Sequence, residues 1–135
     1  MSKERELVLV RGLPGTGKST LAKAMGYFHI EADQFFTDDY GHYEYDRSMT
    51  AQAHEWCRSG CLTALTHYKN VSVVVSNTFT RLSEMQPYFD MAKDLNVPVR
   101  VIEATGNFKN IHNVPKEVIE QMRDRWELFI GMEPN

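Results

Sequence analysis

The sequence predicts an α/β fold: a three-layer sandwich with a small parallel sheet of about four strands and helices on both faces. Two observations predict it. Apolar runs rich in β-branched residues alternate with stretches of helical spacing, in the order β-α-β-α-β-α-β-α. The strand-like runs are apolar throughout, the pattern of strands covered on both faces. No repeat, low-complexity tract or linker divides the 135 residues, so 1–135 reads as a single domain.

Leu7-Val8-Leu9-Val10, bounded by charges and then glycine, reads as the first buried strand. A helix follows from Ser19 to about Phe28, with Leu21, Ala22, Met25 and Phe28 on one side. Phe28 to Ala32 is a weaker second strand, and residues 37–46 are a polar, aromatic loop. Ser48 to Tyr68 is a long helix, because Ala53, Cys57, Cys61, Ala64 and Tyr68 recur at helical spacing. Val71 to Val75 is the clearest strand. Leu82 to Leu95 is a helix mildly broken at Pro87, and Val97 to Glu103 is the fourth strand. Residues 106–114 form a polar loop. Pro115 suits the first turn of a last helix that runs to about Ile130 and stops at Gly131.

Composition narrows the function. Apolar residues are 42% and charged residues 24%, which excludes disorder as the main state. The net charge of −3 excludes a global attractive field for nucleic acid, so any such contact must be local. No apolar run approaches the ~20 residues that span a bilayer. The charged N-terminal residues carry no signal-peptide pattern, and two cysteines do not make a disulfide framework. The expectation is a cytoplasmic protein in a reducing setting, without a membrane partner.

In a parallel α/β sheet, ligands bind beyond the carboxyl ends of the strands. After the first strand stands Gly12-Leu13-Pro14-Gly15-Thr16-Gly17-Lys18-Ser19, followed by Thr20. It fits G-x-x-x-x-G-K-[ST] at every fixed position, between a strand and a helix. Glycines let successive backbone N–H groups turn toward phosphate oxygens. Lys18 is expected at the β- and γ-phosphates, and Ser19 as a ligand of the Mg²⁺ that bridges them. ATP is the implied co-substrate, with Gly12 through Thr20 as its binding residues.

Other strand ends supply fewer candidates. Asp33 follows the second strand and can accept a proton from an attacking hydroxyl, orient a water, or cap a helix. Asn77 follows the best apolar run; it can hydrogen-bond phosphate or acceptor, or simply end the strand. No apolar run ends in Asp as a motor-type ATPase requires, which favours a small kinase whose acceptor brings the nucleophile. Residues 106–114 stand where a lid would close, with Lys109 first and His112 next as cations for the transferring phosphoryl group. Lys116, Arg123 and Arg125 add charge on the last helix, and Arg47 and Arg81 stand in loops. Phe35, Phe36, Tyr40, Tyr43 and Tyr45 either stack bases or seal a loop onto the core. His54, Cys57 and Cys61 share a helix face. However, His54 and Cys61 lie about 10.5 Å apart along the axis, too far for one zinc ion, so they read as core residues.

Several stretches together resemble a known family. They are the phosphate loop, Ala32-Asp33-Gln34-Phe35-Phe36, Gly41-His42-Tyr43-Glu44-Tyr45-Asp46, Ala53-His54-Glu55-Trp56-Cys57, Asn77-Thr78, Glu84-Met85-Gln86-Pro87-Tyr88 and Asn110-Ile111-His112-Asn113-Val114-Pro115-Lys116-Glu117. They resemble the P-loop kinase domain of polynucleotide 5′-hydroxyl kinases and the short zeta-toxin-like or AAA-labelled ATP-binding proteins near it, over nearly the whole chain. The resemblance implies a P-loop NTPase fold and phosphoryl transfer from ATP to the 5′-hydroxyl of DNA or RNA. It further implies Asp33 as general base and a basic lid residue over the phosphates. Three positions depart from the family: Gln34 where a second Asp is common, Phe36 where phage enzymes place an acceptor-gripping arginine, and Lys109 where the lid usually has arginine. The leading expectation is a polynucleotide 5′-kinase with Lys18, Asp33 and Lys109 as catalytic residues. A small-molecule or nucleoside kinase and an ATP-binding regulatory module with little turnover remain as alternatives.

Overall fold

The run Leu7-Val8-Leu9-Val10 sends alternate side chains to opposite faces of a sheet, and every one of them is buried. The computed structural model describes residues 4–108, 113–130 and 133–134. Strand β1 (Leu7–Arg11) is central, with β3 (Val73–Asn77) on one side and β4 (Val99–Glu103) on the other. Leu9 pairs with Val75 and with Val101 in the two ladders. Strand β2 (Phe28–Ile30) flanks β3, and a two-residue strand β5 (Glu133–Pro134) flanks β4. All pairings are parallel, in the order β2-β3-β1-β4-β5.

Helices cover both faces, as expected. Leu7, Leu9, Val73, Val75 and Val101 pack with Ala53, Cys57, Cys61, Ala64 and Leu65 of α2 (Thr50–His67) and with Met85, Tyr88 and Ala92 of α3 (Leu82–Asp94). Val8, Val10, Val74 and Ile102 pack with Ala22, Leu21 and Met25 of α1 (Lys18–Ala24) on the other face. Each fully buried aliphatic side chain contributes roughly 1.5–3 kcal/mol. The cysteines are thus core residues of α2, with free thiols.

The structure corrects several boundaries. Helix α1 stops at Ala24, because Gly26 takes φ +72° and Phe28 is drawn into the sheet beside Val73. Strand β2 ends at Ile30, two residues early, where a 3-10 turn over Ala32–Phe36 begins. Strand β3 starts at Val73, because Val71 closes a turn on Tyr68, and it extends through Ser76 and Asn77. A 3-10 turn, Arg47–Met49, precedes α2; the Asp46 side chain accepts from Ser48 N at 3.0 Å. Pro87 lies within a continuous α3. The last helix, α4 (Lys116–Asp124), does not reach Ile130. The chain beyond it turns back onto the domain: Glu127 N donates to Thr80 O at 2.8 Å, and the Phe129 ring lies 5.7 Å from Phe89. Glycine 131 lies outside the described residues.

Candidate active site

Strand β1 delivers the chain to the carboxyl edge of the sheet, where the phosphate loop is built. Its root is tied to the end of β3 by Gly12 N donating to Thr78 O at 3.3 Å. Thr16 closes the turn, its hydroxyl donating to Leu13 O at 2.7 Å. Gly15 and Gly17 both take φ +84°, a conformation that side chains with a Cβ rarely adopt. A Cβ on Gly17 would also meet the Phe108 ring at 2.8 Å. The chain after β4 crosses this loop, with Gly106 N donating to Thr16 O at 3.1 Å and Phe108 N to Gly15 O at 2.7 Å. Helix α1 starts at Lys18, with no side chain capping its first turn.

Lys18, Ser19 and Asp33 come together at this edge. Burial pushes the Lys18 ammonium down from its ordinary range, while the charges of Asp33 and Glu31 push it up. Lys18 is half-buried and lies in the field of two carboxylates. Asp33 rides on the 3-10 turn after β2, and the Tyr43 hydroxyl donates to its Oδ1 at 3.4 Å. Burial, followed by the charge of Asp33, raises the Tyr43 phenol, so Tyr43 stays a proton donor at neutral pH.

The residue that sequence reasoning missed is Glu31. Its Oε2 accepts from the Ser19 hydroxyl at 2.6 Å and from the Ser76 hydroxyl at 2.7 Å. Because Ser76 gives its proton to Glu31, the His29 Nε2 that lies 2.6 Å from Ser76 Oγ is assigned the N–H. Burial pushes the Glu31 carboxyl up, but His29, 3.6 Å away, and the bonds from Ser19 and Ser76 outweigh it and hold it at about 2. Glu31 is therefore ionised throughout the ordinary pH range. Mg²⁺ prefers oxygen ligands. The Ser19 hydroxyl and the Glu31 carboxylate, side by side at the phosphate loop, are a donor set of that kind.

Asn77 faces inward. It is buried, its Oδ1 accepts from Ala32 N at 2.8 Å, and its Nδ2 donates to Cys57 Sγ at 3.6 Å. These bonds hold its amide against the turn that carries Asp33, which is a positioning arrangement. Lys109 and His112 lie outside the described residues.

Beyond Asp33 opens a cleft of about 960 Å³. Tyr43, Tyr45, Arg47, His54 and Arg125 line it together with Asp33. Arg125 Nε donates to Thr80 Oγ1 at 3.1 Å, and Thr80 donates to Glu84 at 2.8 Å. Burial lowers the His54 imidazole, opposed mainly by Glu84, so it is neutral at pH 7. The aromatic segment divides. Phe35 and Phe36 pack on the core and edge-on to Trp56 and Tyr45, at 6.1 and 5.1 Å, while Tyr43 and Tyr45 line the cleft. Tyr40 is exposed. Among the described residues, no helix is long and apolar enough to cross a membrane.

Comparison with known proteins agrees with this architecture. The chain is 33% identical to human NEDD4-binding protein 2 over 140 residues, which is 93% of this chain and 8% of that protein. It is 27% identical to the bifunctional polynucleotide phosphatase/kinase of Schizosaccharomyces pombe over 128 residues, 88% of this chain and 28% of that enzyme. The chain thus spans a minor part of both relatives. Among solved structures, Kti12 of Chaetomium thermophilum in complex with ADP-AlF3 superposes with a TM-score of 0.62 at 14% identity, covering 96% of this chain and 88% of that one. A gluconokinase from Sinorhizobium meliloti 1021 gives 0.54 at 18% identity, covering 98% and 83%. These likenesses bear on the fold. The family model described as AAA domain matches residues 7–107, which runs from β1 through the phosphate loop to the segment that crosses it. The chain belongs to this AAA domain family, with the P-loop kinase-like fold of its neighbours.

Proposed function

We propose that this chain binds ATP at Gly12–Thr20 and transfers its γ-phosphoryl group to the 5′-hydroxyl of a nucleic acid end. One observation carries the reading: Asp33 shares the surroundings of Lys18 on one side and lines the 960 Å³ cleft on the other. A general base must stand between donor phosphate and acceptor hydroxyl in this way. The cleft is large enough for a terminal nucleotide. Tyr43 and Tyr45 offer faces for a base, and Arg47 and Arg125 offer cations for the adjoining phosphate. The likeness to a polynucleotide phosphatase/kinase supports the same acceptor class.

In this mechanism Asp33 takes the proton of the 5′-hydroxyl as its oxygen attacks the γ-phosphorus. The bond from that phosphorus to the β–γ bridging oxygen breaks, and ADP leaves. Lys18 meets the charge on the β- and γ-phosphates, and Lys109 is assigned the lid side from the sequence. Asn77 holds the turn that carries Asp33 in place. Ser19 would help hold Mg²⁺, which would supply further charge neutralisation. The net charge of −3 suits a short end better than an extended duplex.

The test is an acceptor scan with γ-labelled ATP, using 5′-hydroxyl DNA and RNA oligonucleotides alongside sugars and nucleosides. Label is expected on an oligonucleotide 5′-end. Label on a small acceptor instead, or nucleotide binding with no transfer, overturns the proposal.

A further inference from the structure

Phosphate-loop NTPases hold their metal with the loop Ser or Thr and with a carboxylate at the end of a neighbouring strand. Here β3, on the side of β1 that faces β2, ends in Ser76 and Asn77, which are neutral, while Glu103 at the end of β4 is level with Arg11 and acts on its charge. Strand β2 lies one place further out, and its last residue, Ile30, is level with Val75 of β3. The next residue of each strand brings Glu31 beside Ser76 at the carboxyl edge, where their side chains bond at 2.7 Å.

We propose that Glu31 supplies the carboxylate for the hydration shell of the nucleotide-bound Mg²⁺, moved one strand outward from its usual position. The arrangement around it fits that task. Ser19 gives its proton to Glu31, which keeps the lone pairs of its oxygen available to a cation. Ser76 donates to the same carboxylate oxygen and is itself held by His29, so the acid is fixed from the sheet side. A carboxylate offers about four lone-pair sites, and two hydroxyl donors leave capacity for a metal-bound water. The side chains of His29 and Glu31 are only 10% and 13% exposed. Capping the following turn does not by itself call for the bond to Ser19.

The inference rests on nucleotide binding but not on the identity of the acceptor. The experiment measures affinity for a non-hydrolysable ATP analogue by calorimetry, in EDTA and across a Mg²⁺ series, for the parent and Glu31→Gln. Bound Mn²⁺ is followed by electron paramagnetic resonance, and folding by thermal melt. Glu31→Gln should keep or improve metal-free affinity, because a negative charge near the phosphates is gone. Its half-saturating Mg²⁺ should rise about ten-fold or more, as for loss of a group that orients a metal ligand. Ser76→Asp added to Glu31→Gln should return much of that loss by restoring an acid at the end of β3. Should Glu31→Gln not fold, Ser76→Ala keeps the carboxylate but frees its orientation, and a rise of several-fold is expected. Equal Mg²⁺ dependence in the parent and in the folded variant overturns the inference. A parent that binds no nucleotide at any Mg²⁺ overturns both this inference and the proposed kinase. A parent that binds Mg²⁺-nucleotide but phosphorylates no 5′-hydroxyl overturns the proposed acceptor alone.

Discussion

Asp33 and Glu31 stand two residues apart on one turn, yet their surroundings differ in kind. Glu31 lies beside His29 and accepts from two hydroxyl groups, which together hold its proton affinity far below that of a useful base. Asp33 meets a tyrosine hydroxyl at a long 3.4 Å and borders the open cleft. On the proposed kinase reading, proton acceptance falls to Asp33, which borders the acceptor cleft, and cation handling to Glu31. For Asp33→Asn the turnover number should fall by about 10²–10⁴, the usual contribution of a general base, while ATP affinity changes little. Steady-state kinetics on one acceptor, with ATP binding measured separately, checks both halves. Full turnover in Asp33→Asn removes Asp33 as the base.

At the scale of elements, the legible parts were those whose local pattern and tertiary role agree. The run Leu7–Val10 is apolar on both faces because β1 is central, and G-x-x-x-x-G-K-S needs its glycines wherever it folds. What escaped reading was set by distant contacts. A second strand that reaches Ala32 places Glu31 inside it; the strand ends at Ile30, which leaves that acid to meet Ser19. Trp126 and Phe129 continue a helical spacing but are drawn to Arg11 and Phe89, so α4 ends early. Helix α2 carries its own consequence, because its two thiols are in the core. Burial pushes Cys57 up, and burial reinforced by Cys57 pushes Cys61 up to about 12. Both folded values lie above the unfolded one. The stability they contribute is therefore complete below about pH 9 and is lost as pH rises from there toward about 12. Each thiol adds a slope of up to about 1.4 kcal/mol per pH unit in that window. Urea midpoints should fall between pH 8.5 and 10.5, and Cys61→Ala should fall less steeply than the parent. A parallel decline in the two proteins shows that Cys61 plays no part.

Across the whole molecule, one buried cation joins segments that are far apart in sequence. Arg11, the last residue of β1, has no exposed surface. Its Nε donates to Phe79 O at 3.0 Å and its Nη2 to the same carbonyl. Its Nη1 donates to Glu127 O at 2.8 Å, and its guanidinium carbon lies 3.8 Å from the centre of the Trp126 ring. Burial lowers its proton affinity, opposed by Glu103, Glu84 and Glu127, and an arginine stays charged under such a shift. The carbonyl it grips belongs to Phe79, which is held at φ +50°, a conformation that costs about 1–2 kcal/mol for a residue with a side chain. The planar fork of arginine thus clamps the root of the phosphate loop, the strained turn after β3 and the returning tail in one arrangement. Arg11→Met fills similar space but leaves the carbonyls of Phe79 and Glu127 short of donors and Phe79 without its restraint. Leaving buried carbonyls without their donor costs roughly 1–3 kcal/mol each, about 3 kcal/mol in all. The Tm should then fall by about 10 °C, taking ~3–4 °C per kcal/mol for a domain of this size. Arg11→Lys should recover only part of the loss, since an ammonium cannot reach both carbonyl groups in the plane of the Trp126 stack. Urea unfolding and thermal melts of the three proteins, with indole fluorescence reporting the stack, measure this. If Arg11→Met melts with the parent, water replaces the guanidinium at no loss, and the tail is held by its own contacts alone.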